Sequence, residues 1–322
     1  MIQIVGIGVA AGIAGALLFL SPIGGTALAF PLFALAGLPI AIAGLGWHLI
    51  SALIATGVAG LTIAGALSIE SALVYIALFS VPILWMCRLA VLSRPAGDDG
   101  SALEFFPIGG ILFQGALAIA AAAIVVGAVA GYDPVALTAE FTEVLTMVLA
   151  QAPEGTTIST EDIAPFAELA EFAVVALPFI LPAYLVFVHV FNMWLASRIA
   201  DASRRLTRPR DPLWTAALPV QASFVFGGAL VVSVLPDAIG YIGAAFAGAL
   251  GAAFALIGLA VIHATTRGNA MRGLILAGVY VFVFLFGFPL LFAVLALIGV
   301  AETFLRLRAR FAPDPSTNPT NE

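Results

Sequence analysis

The sequence contains no lysine, a single cysteine and very little charge. All 12 of its basic residues are arginines, and charged residues occupy only 9% of its 322 positions. Soluble domains carry about 25% charged residues, so a soluble globular protein is excluded. Without lysine the chain cannot form a P-loop, a lysine Schiff base or a pyridoxal phosphate site. Cys87 alone provides neither an intramolecular disulfide nor a thiolate metal site.

Motifs for catalysis and for nucleic-acid binding are also missing. The net charge of −6 leaves no basic surface for nucleic acid. No G-x-S-x-G, H-E-x-x-H or clustered Cys and His motif occurs, and the three histidines lie in separate segments. We therefore expect no catalytic residues, no metal site, no cofactor and no enzymatic activity.

Apolar residues dominate what is present. They make up 62% of the chain, and the mean hydropathy is +1.15. Residues 1–20 are apolar but lack a basic leader and a signal cleavage pattern, so we interpret them as a retained first membrane span. The composition predicts an all-α, polytopic helix bundle in the lipid bilayer of a bacterial inner membrane.

The arginines predict the topology, because cytoplasmic loops are enriched in basic residues. They fall into four clusters, and neighbouring clusters must enclose an even number of spans. The clusters are Arg88 and Arg94; Arg198, Arg204, Arg205, Arg208 and Arg210; Arg267 and Arg272; and Arg306, Arg308 and Arg310.

A crossing helix needs about 20 residues, which gives about ten spans with both termini cytoplasmic. The predicted segments are residues 2–20, 26–38, 40–67, 71–92, 105–130, 172–196, 214–234 and 239–262, and two within 272–306 that divide at Gly287, Phe288 and Pro289. Segment 26–38 and the last two are short, so the number of full crossings lies between eight and ten.

A polar stretch over residues 132–172 is predicted to be an extracytoplasmic loop. It has no basic residue and eight acidic ones, namely Asp133, Glu140, Glu143, Glu154, Glu161, Asp162, Glu168 and Glu171. Phe141, Val144, Leu145, Val148 and Leu149 follow helical spacing, which predicts an amphipathic helix packed against the outer helix ends. Ser159 and Thr160 are typical of a helix start. Residues 312–322 are predicted to form a disordered cytoplasmic tail.

Small residues at four-residue spacing are a candidate docking surface on the first span. They are Gly8, Ala10, Gly12 and Ala14. Such spacing lets helix backbones approach closely in lipid. The close approach can serve packing within the chain or the docking of another membrane subunit.

A few polar side chains within the apolar segments are the candidate substrate-binding site. His48, Gln114, His189 and Gln221 each lie about 10 to 14 Å from the nearest cytoplasmic end at 1.5 Å per residue, and Asn192 and Ser223 lie beside them. One interpretation is a set of separate hydrogen bonds between helices. The other is a shared polar layer that binds a solute or relays protons.

Two stretches carry a resemblance to a known family. They are Phe191-Asn192-Met193-Trp194-Leu195 with the following arginines, and Leu297-Ile298-Gly299-Val300-Ala301-Glu302 with Arg306, Arg308 and Arg310. Together with the helix order they resemble the uncharacterised YybS-like family of bacterial membrane proteins, related to the S components of energy-coupling-factor transporters. The resemblance implies a bundle with both termini inside, a small-molecule ligand, and docking of a coupling subunit through Ala10 and Ala14.

The sequence therefore predicts a solute-binding or transport-related membrane protein without its own ATPase. Energy would come from a membrane coupling subunit or an ion gradient, because no phosphate-binding loop is present. The alternative is a non-transporting scaffold or assembly factor, in which the polar layer is dry and fully hydrogen-bonded. The sequence does not identify the ligand.

Overall fold

The computed structural model is a bundle of α-helices with one β-hairpin, and it describes residues 1–96, 102–150, 160–210, 212–286 and 288–311. The helices are α1 (Ile2–Phe19), α2 (Ala29–Ala34), α3 (Leu38–Gly46), α4 (Leu49–Ala66), α5 (Ile69–Tyr75), a π-helix (Ile76–Ser80), α6 (Val81–Ala90), α7 (Ile108–Ala130), α8 (Pro134–Ala150), α9 (Thr160–Ala202), α10 (Val220–Ser233), α11 (Asp237–Thr265), α12 (Arg272–Phe286), α13 (Phe288–Leu305) and α14 (Leu307–Phe311). The predicted tail 312–322 and Glu154 of the acidic loop lie outside the described residues.

Seven helical segments of the described chain are long and apolar enough to cross a membrane. They are Ile2–Phe19, Ala29–Gly46, Leu49–Ala66, Ile69–Ala90, Ile108–Ala130, Glu168–Ala202 and Asp237–Thr265. Val220–Ser233, Arg272–Val281 and Phe292–Leu305 are shorter apolar helices. The prediction of an α-helical membrane bundle is confirmed at this level, whereas the number of full crossings and the side of each terminus stay predictions.

The break after the second apolar segment lies later than the sequence predicts. Pro39 does not end a segment; it occupies the first turn of α3, where proline fits because those N–H groups have no helical partner. α2 and α3 therefore form one apolar stretch, and the chain turns at Trp47 and His48. The prediction of one helix over residues 40–67 is wrong for this reason.

The first two arginine clusters meet at one end of the bundle. Arg208, which follows α9, donates a hydrogen bond of 3.0 Å to the carbonyl oxygen of Phe106, next to the hairpin that carries Arg94. Arg205 lies over the ring of Trp47, 5.5 Å from its centroid, at the turn between α3 and α4. This end, which we call the arginine end, therefore holds the junctions of α3 with α4 and of α6 with α7.

The last two arginine clusters join the arginine end through Trp214. The guanidinium of Arg267 lies 4.4 Å from the centroid of the Trp214 ring, and Arg308 donates a hydrogen bond to the Trp214 carbonyl oxygen. The backbone of nearby Ala217 packs against Gly109 at the start of α7. A shared end is what the positive-inside rule requires of the four clusters.

Two tyrosines connect helices at the opposite end. The Tyr132 hydroxyl donates a hydrogen bond of 2.6 Å to the carbonyl oxygen of Val174 in α9. The Tyr241 hydroxyl donates one of 3.0 Å to the carbonyl oxygen of Ala123 in α7. Their rings lie 5.0 Å apart between centroids. The acidic stretch predicted to be extracytoplasmic thus begins at the end that lies away from the arginines.

The acidic stretch contains a helix, α8, where the apolar spacing predicts one. A carboxylate oxygen of Asp133 accepts a hydrogen bond of 2.9 Å from the Val135 N–H and caps the helix start. α8 and α9 line a groove of about 620 Å³ to which Thr138 contributes. Phe141 and Val144 are 55% and 58% exposed, so their expected packing on the helix ends is wrong. The side of α8 that carries Thr138 faces α9 instead.

Close backbone contacts hold the second half of the bundle together around α11, which packs on α7, α9, α10 and α13. A Cβ atom on Gly258 would overlap the carbonyl oxygen of Leu295 in α13, and one on Gly299 would overlap that of Phe254 in α11. Gly248 makes the same kind of contact with α9. In lipid such packing replaces the hydrophobic drive for helix association.

The hairpin between α6 and α7 was not predicted. Its strands β1 (Ser93–Ala96) and β2 (Ala102–Phe105) pair antiparallel, with Arg94 opposite Glu104. These two side chains form an exposed ion pair of 2.7 Å. Strands of four residues without apolar alternation leave no periodic signal in the sequence.

Candidate functional site

Two of the five polar residues selected from the sequence are completely buried. His189 and Asn192, both in α9, are 0% exposed. Gln114 is half-buried in α7, whereas His48 and Gln221 are exposed. Within the described chain, no hydrogen bond joins any of these three residues to the buried pair. The structure thus brings together two members of the predicted layer, three residues apart on one helix.

The depth predicted for His48 is wrong, because it was counted along a helix that the structure interrupts. His48 precedes α4, and its Nδ1 accepts a hydrogen bond of 3.2 Å from the Ile50 N–H, which caps that helix. Gln221 lies in the first turn of α10, near the arginine end. Neither side chain lies in the middle of a crossing helix.

The His189 ring has one bonded and one unbonded nitrogen. Its Nδ1 lies 2.7 Å from the carbonyl oxygen of Leu185. A carbonyl oxygen can only accept, so Nδ1 carries the proton of this hydrogen bond. Nε2 is buried and has no hydrogen-bond partner. In the neutral ring Nε2 is therefore an acceptor that nothing in the described chain satisfies.

The Asn192 amide is held in one orientation by the end of α2. Its Nδ2 donates a hydrogen bond of 2.9 Å to the carbonyl oxygen of Ala34, the last residue of that helix. Carbonyl groups at a helix end lack helical partners, which explains why this oxygen is free to accept. The opposite amide atom, Oδ1, is buried and has no partner.

A π-helix adjoins the buried pair from the other side. It covers Ile76–Ser80, and Pro82 follows it without an N–H group for the carbonyl of Leu78. The Phe79 ring stacks on the His189 imidazole, with centroids 5.8 Å apart.

Ser80, the last residue of the π-helix, was missed from the sequence. It is completely buried; its side chain interacts with the Tyr75 hydroxyl, but its Oγ has no hydrogen-bond partner of good geometry. Ser80, His189 and Asn192 form what we call the polar cluster. The signal available in the sequence was a serine two residues before a proline inside an apolar run, which is typical of an interrupted membrane helix.

Aromatic rings surround one side of the polar cluster. Phe19 lies 5.3 Å from Phe33, 5.1 Å from Tyr75 and 5.9 Å from Phe79 between ring centroids. The Tyr75 hydroxyl donates a hydrogen bond of 3.1 Å to the carbonyl oxygen of Ala36, in the connection between α2 and α3. The rings thus close the cluster against the end of α1.

No charged side chain is part of the polar cluster. Among the residues that the structure describes, no group of three His, Cys, Asp or Glu side chains is arranged to hold a metal ion. What the cluster can do is exchange hydrogen bonds with a small polar molecule.

An apolar groove runs along the surface next to the Asn192 amide. It has a volume of about 400 Å³ and is lined by Pro31, Ala34, Leu35, Phe187, Val188 and Phe191. Ala34 thus belongs to the groove and also accepts the Asn192 hydrogen bond. Only side chains and the short helix α2 separate the groove from the polar cluster.

The small residues on α1 divide between two surfaces. A Cβ atom on Gly8 or Gly12 would collide with α4, so these two positions serve packing within the chain. Ala10 is exposed and Ala14 is half-buried. A docking surface for another subunit, if it lies on α1, therefore includes Ala10 and excludes both glycines.

Comparison of the chain with family models, with curated proteins and with solved structures gives no match.

Proposed function

We propose that the protein is a membrane solute-binding protein with a role in transport, and that the polar cluster is its binding site. The observation that carries the proposal is the set of three buried atoms without a hydrogen-bond partner of good geometry: Ser80 Oγ, His189 Nε2 and Asn192 Oδ1. Buried polar atoms in proteins are almost always hydrogen-bonded. Three such atoms in one polar cluster indicate that a bound molecule completes their hydrogen bonds.

The backbone around the polar cluster supports a binding role. The cluster lies where one apolar segment is divided into α2 and α3 and another is interrupted by the π-helix. Discontinuous helices form the substrate sites of many transporters, because their ends expose backbone groups within the membrane. π-Helical turns occur frequently at functional sites.

The proposal places the protein in a bacterial inner membrane with both termini in the cytoplasm. The arginine end would face the cytoplasm and the acidic stretch the outside. Transport would require a coupling subunit or an ion gradient, because the sequence has no phosphate-binding loop. A scaffold with no ligand is the competing function.

Substitution of Asn192 by leucine tests the site. We expect at least one small polar solute to raise the unfolding temperature of the purified wild-type protein in lipid nanodiscs. The panel contains short amines, alcohols, amides and carboxylates. Asn192→Leu removes Oδ1 and should weaken binding of that solute at least 10-fold. Binding stabilises only the folded state, so the shift of the unfolding temperature reports affinity directly.

Gln221→Leu is the matched control, because it removes an exposed amide instead of a buried one. It should bind the same solute with unchanged affinity. If no solute in the panel stabilises the wild type, and a membrane subunit co-purifies stoichiometrically in mild detergent, the scaffold function replaces this proposal.

A further inference from the structure

The polar cluster presents more hydrogen-bond acceptors than donors. One Asn192 amide hydrogen bonds to the Ala34 carbonyl oxygen, which leaves Oδ1 as an acceptor and the second amide hydrogen as a donor. His189 uses its Nδ1 proton toward Leu185, which leaves Nε2 as an acceptor. The Ser80 hydroxyl can donate one proton and accept two. Acceptor sites therefore outnumber donors in the cluster.

Backbone groups add to this excess. Pro82 has no N–H group for the Leu78 carbonyl oxygen, and a carbonyl oxygen cannot donate. The contacts of Arg205 with Trp47, of Arg267 with Trp214 and of Arg208 with Phe106 lie at the arginine end. Lone pairs that face each other repel unless a molecule with several donors lies between them. The missing partner must bring N–H or O–H groups.

We propose that the ligand is a small cationic or neutral solute with several N–H donors, of the class of ammonium and short primary amines. This inference rests on the proposed function and specifies its ligand. The donors would bond to His189 Nε2, Asn192 Oδ1 and Ser80 Oγ.

Burial sets the size of the ligand and its charge. All three side chains of the polar cluster are 0% exposed, so a ligand there must be small and fully enclosed. An anion would place negative charge against several acceptor atoms without a compensating donor or arginine. Anionic solutes such as acetate are therefore disfavoured by the chemistry of the site.

Radiolabelled methylammonium is the probe for this inference, with purified full-length protein in nanodiscs. We expect saturable binding that excess ammonium chloride displaces. Potassium and tetramethylammonium chloride should not displace it, because these cations carry no N–H group. His189→Phe keeps a planar ring beside Phe79 and should abolish binding. Ser80→Ala should weaken binding about 3- to 10-fold, the effect of one lost hydrogen bond.

Ser223→Ala is the matched control, because Ser223 also has a buried hydroxyl without a partner, but in α10. It should bind methylammonium like the wild type. If His189→Phe does not fold, Ser80→Ala still decides the question, since unchanged affinity in that variant overturns the assignment.

The other outcomes separate this inference from the proposed function. If potassium competes as well as ammonium, or methylammonium does not bind, the assignment of an N–H donor is wrong. If an anion or a pure acceptor then binds and depends on Asn192, the proposed function stands with a different ligand. If no solute binds, an ordered water or a proton completes the cluster, and both proposals fail.

Discussion

Replacement of Gly258 by alanine is expected to destabilise the protein by about 3 kcal/mol, in the upper part of the range for overpacked cores. The added methyl group would overlap the carbonyl oxygen of Leu295. That oxygen belongs to a helix backbone and cannot rotate away as the end of a side chain can. α11 and α13 must therefore separate along their contact. Reversible unfolding of the purified variant in mild detergent measures the loss.

Gly278→Ala, in α12, is the matched control for this substitution. A Cβ atom on Gly278 meets no atom within 4 Å, and alanine favours a helix over glycine by up to about 1 kcal/mol. The same chemical change should thus shift stability in opposite directions at the two positions. Gly299→Ala should behave like Gly258→Ala, because it meets the same helix pair from the other side. Similar stability of Gly258→Ala and Gly278→Ala would contradict the close approach of Gly258 to the Leu295 carbonyl oxygen.

Features set by the order of charged and apolar residues could be predicted from the sequence. The arginine clusters flank apolar runs, and the structure brings Arg205, Arg208, Arg267 and Arg308 to one end. A helix start is predicted at Ser159 and Thr160; Ser159 lies outside the described residues, and the chain is helical from Thr160 onward. These features depend on local pattern and on the two ends of a membrane bundle, so distant contacts do not alter them.

Features set by packing could not be predicted in the same way. Pro39 fits both the end of one helix and the first turn of the next, and only the arrangement of α3 against α4, α6 and α9 decides between them. Gly12 and Ala10 lie on the same small-residue helix, yet only Gly12 packs against α4. The sequence shows that α1 has small residues but not which face meets a neighbour.

The candidate site was predicted in part for the same reason. His189 and Asn192 were found because buried polar residues are rare in apolar segments. Ser80 was overlooked because serine is common in membrane helices, where it bonds to its own backbone. Its burial at the end of a π-helix is a property of the folded chain.

Glu302 and Arg308 form a shielded ion pair at the arginine end. Glu302 and Arg308 side chains are 9% and 14% exposed, and their Oε1 and Nε atoms lie 2.8 Å apart. The other carboxylate oxygen accepts a hydrogen bond of 3.0 Å from the Arg308 N–H. Between them Arg306 adopts a left-handed conformation with φ of 48°. The pair therefore holds the turn that separates α13 from α14.

Glu302→Gln is expected to cost about 3 kcal/mol, because it leaves the Arg308 guanidinium unpaired and largely away from water. Glutamine keeps the shape of the side chain, so the loss reports charge pairing rather than packing. Arg308 also donates to the Trp214 carbonyl oxygen, and Trp214 contacts Arg267. A more mobile Arg308 side chain should therefore also destabilise the segment that precedes α10. Unfolding of the purified variant in detergent measures the cost.

Glu104→Gln provides the matched control at the same end of the bundle. Its partner is Arg94, and the two side chains are 52% and 76% exposed. Exposed pairs contribute at most about 1 kcal/mol, and salt screens them. The effect of Glu104→Gln should therefore vanish in 1 M salt, whereas that of Glu302→Gln should persist because salt does not reach a shielded pair. Equal and equally salt-sensitive losses would show that solvent reaches Glu302, and the turn after α13 would then need another source of stability.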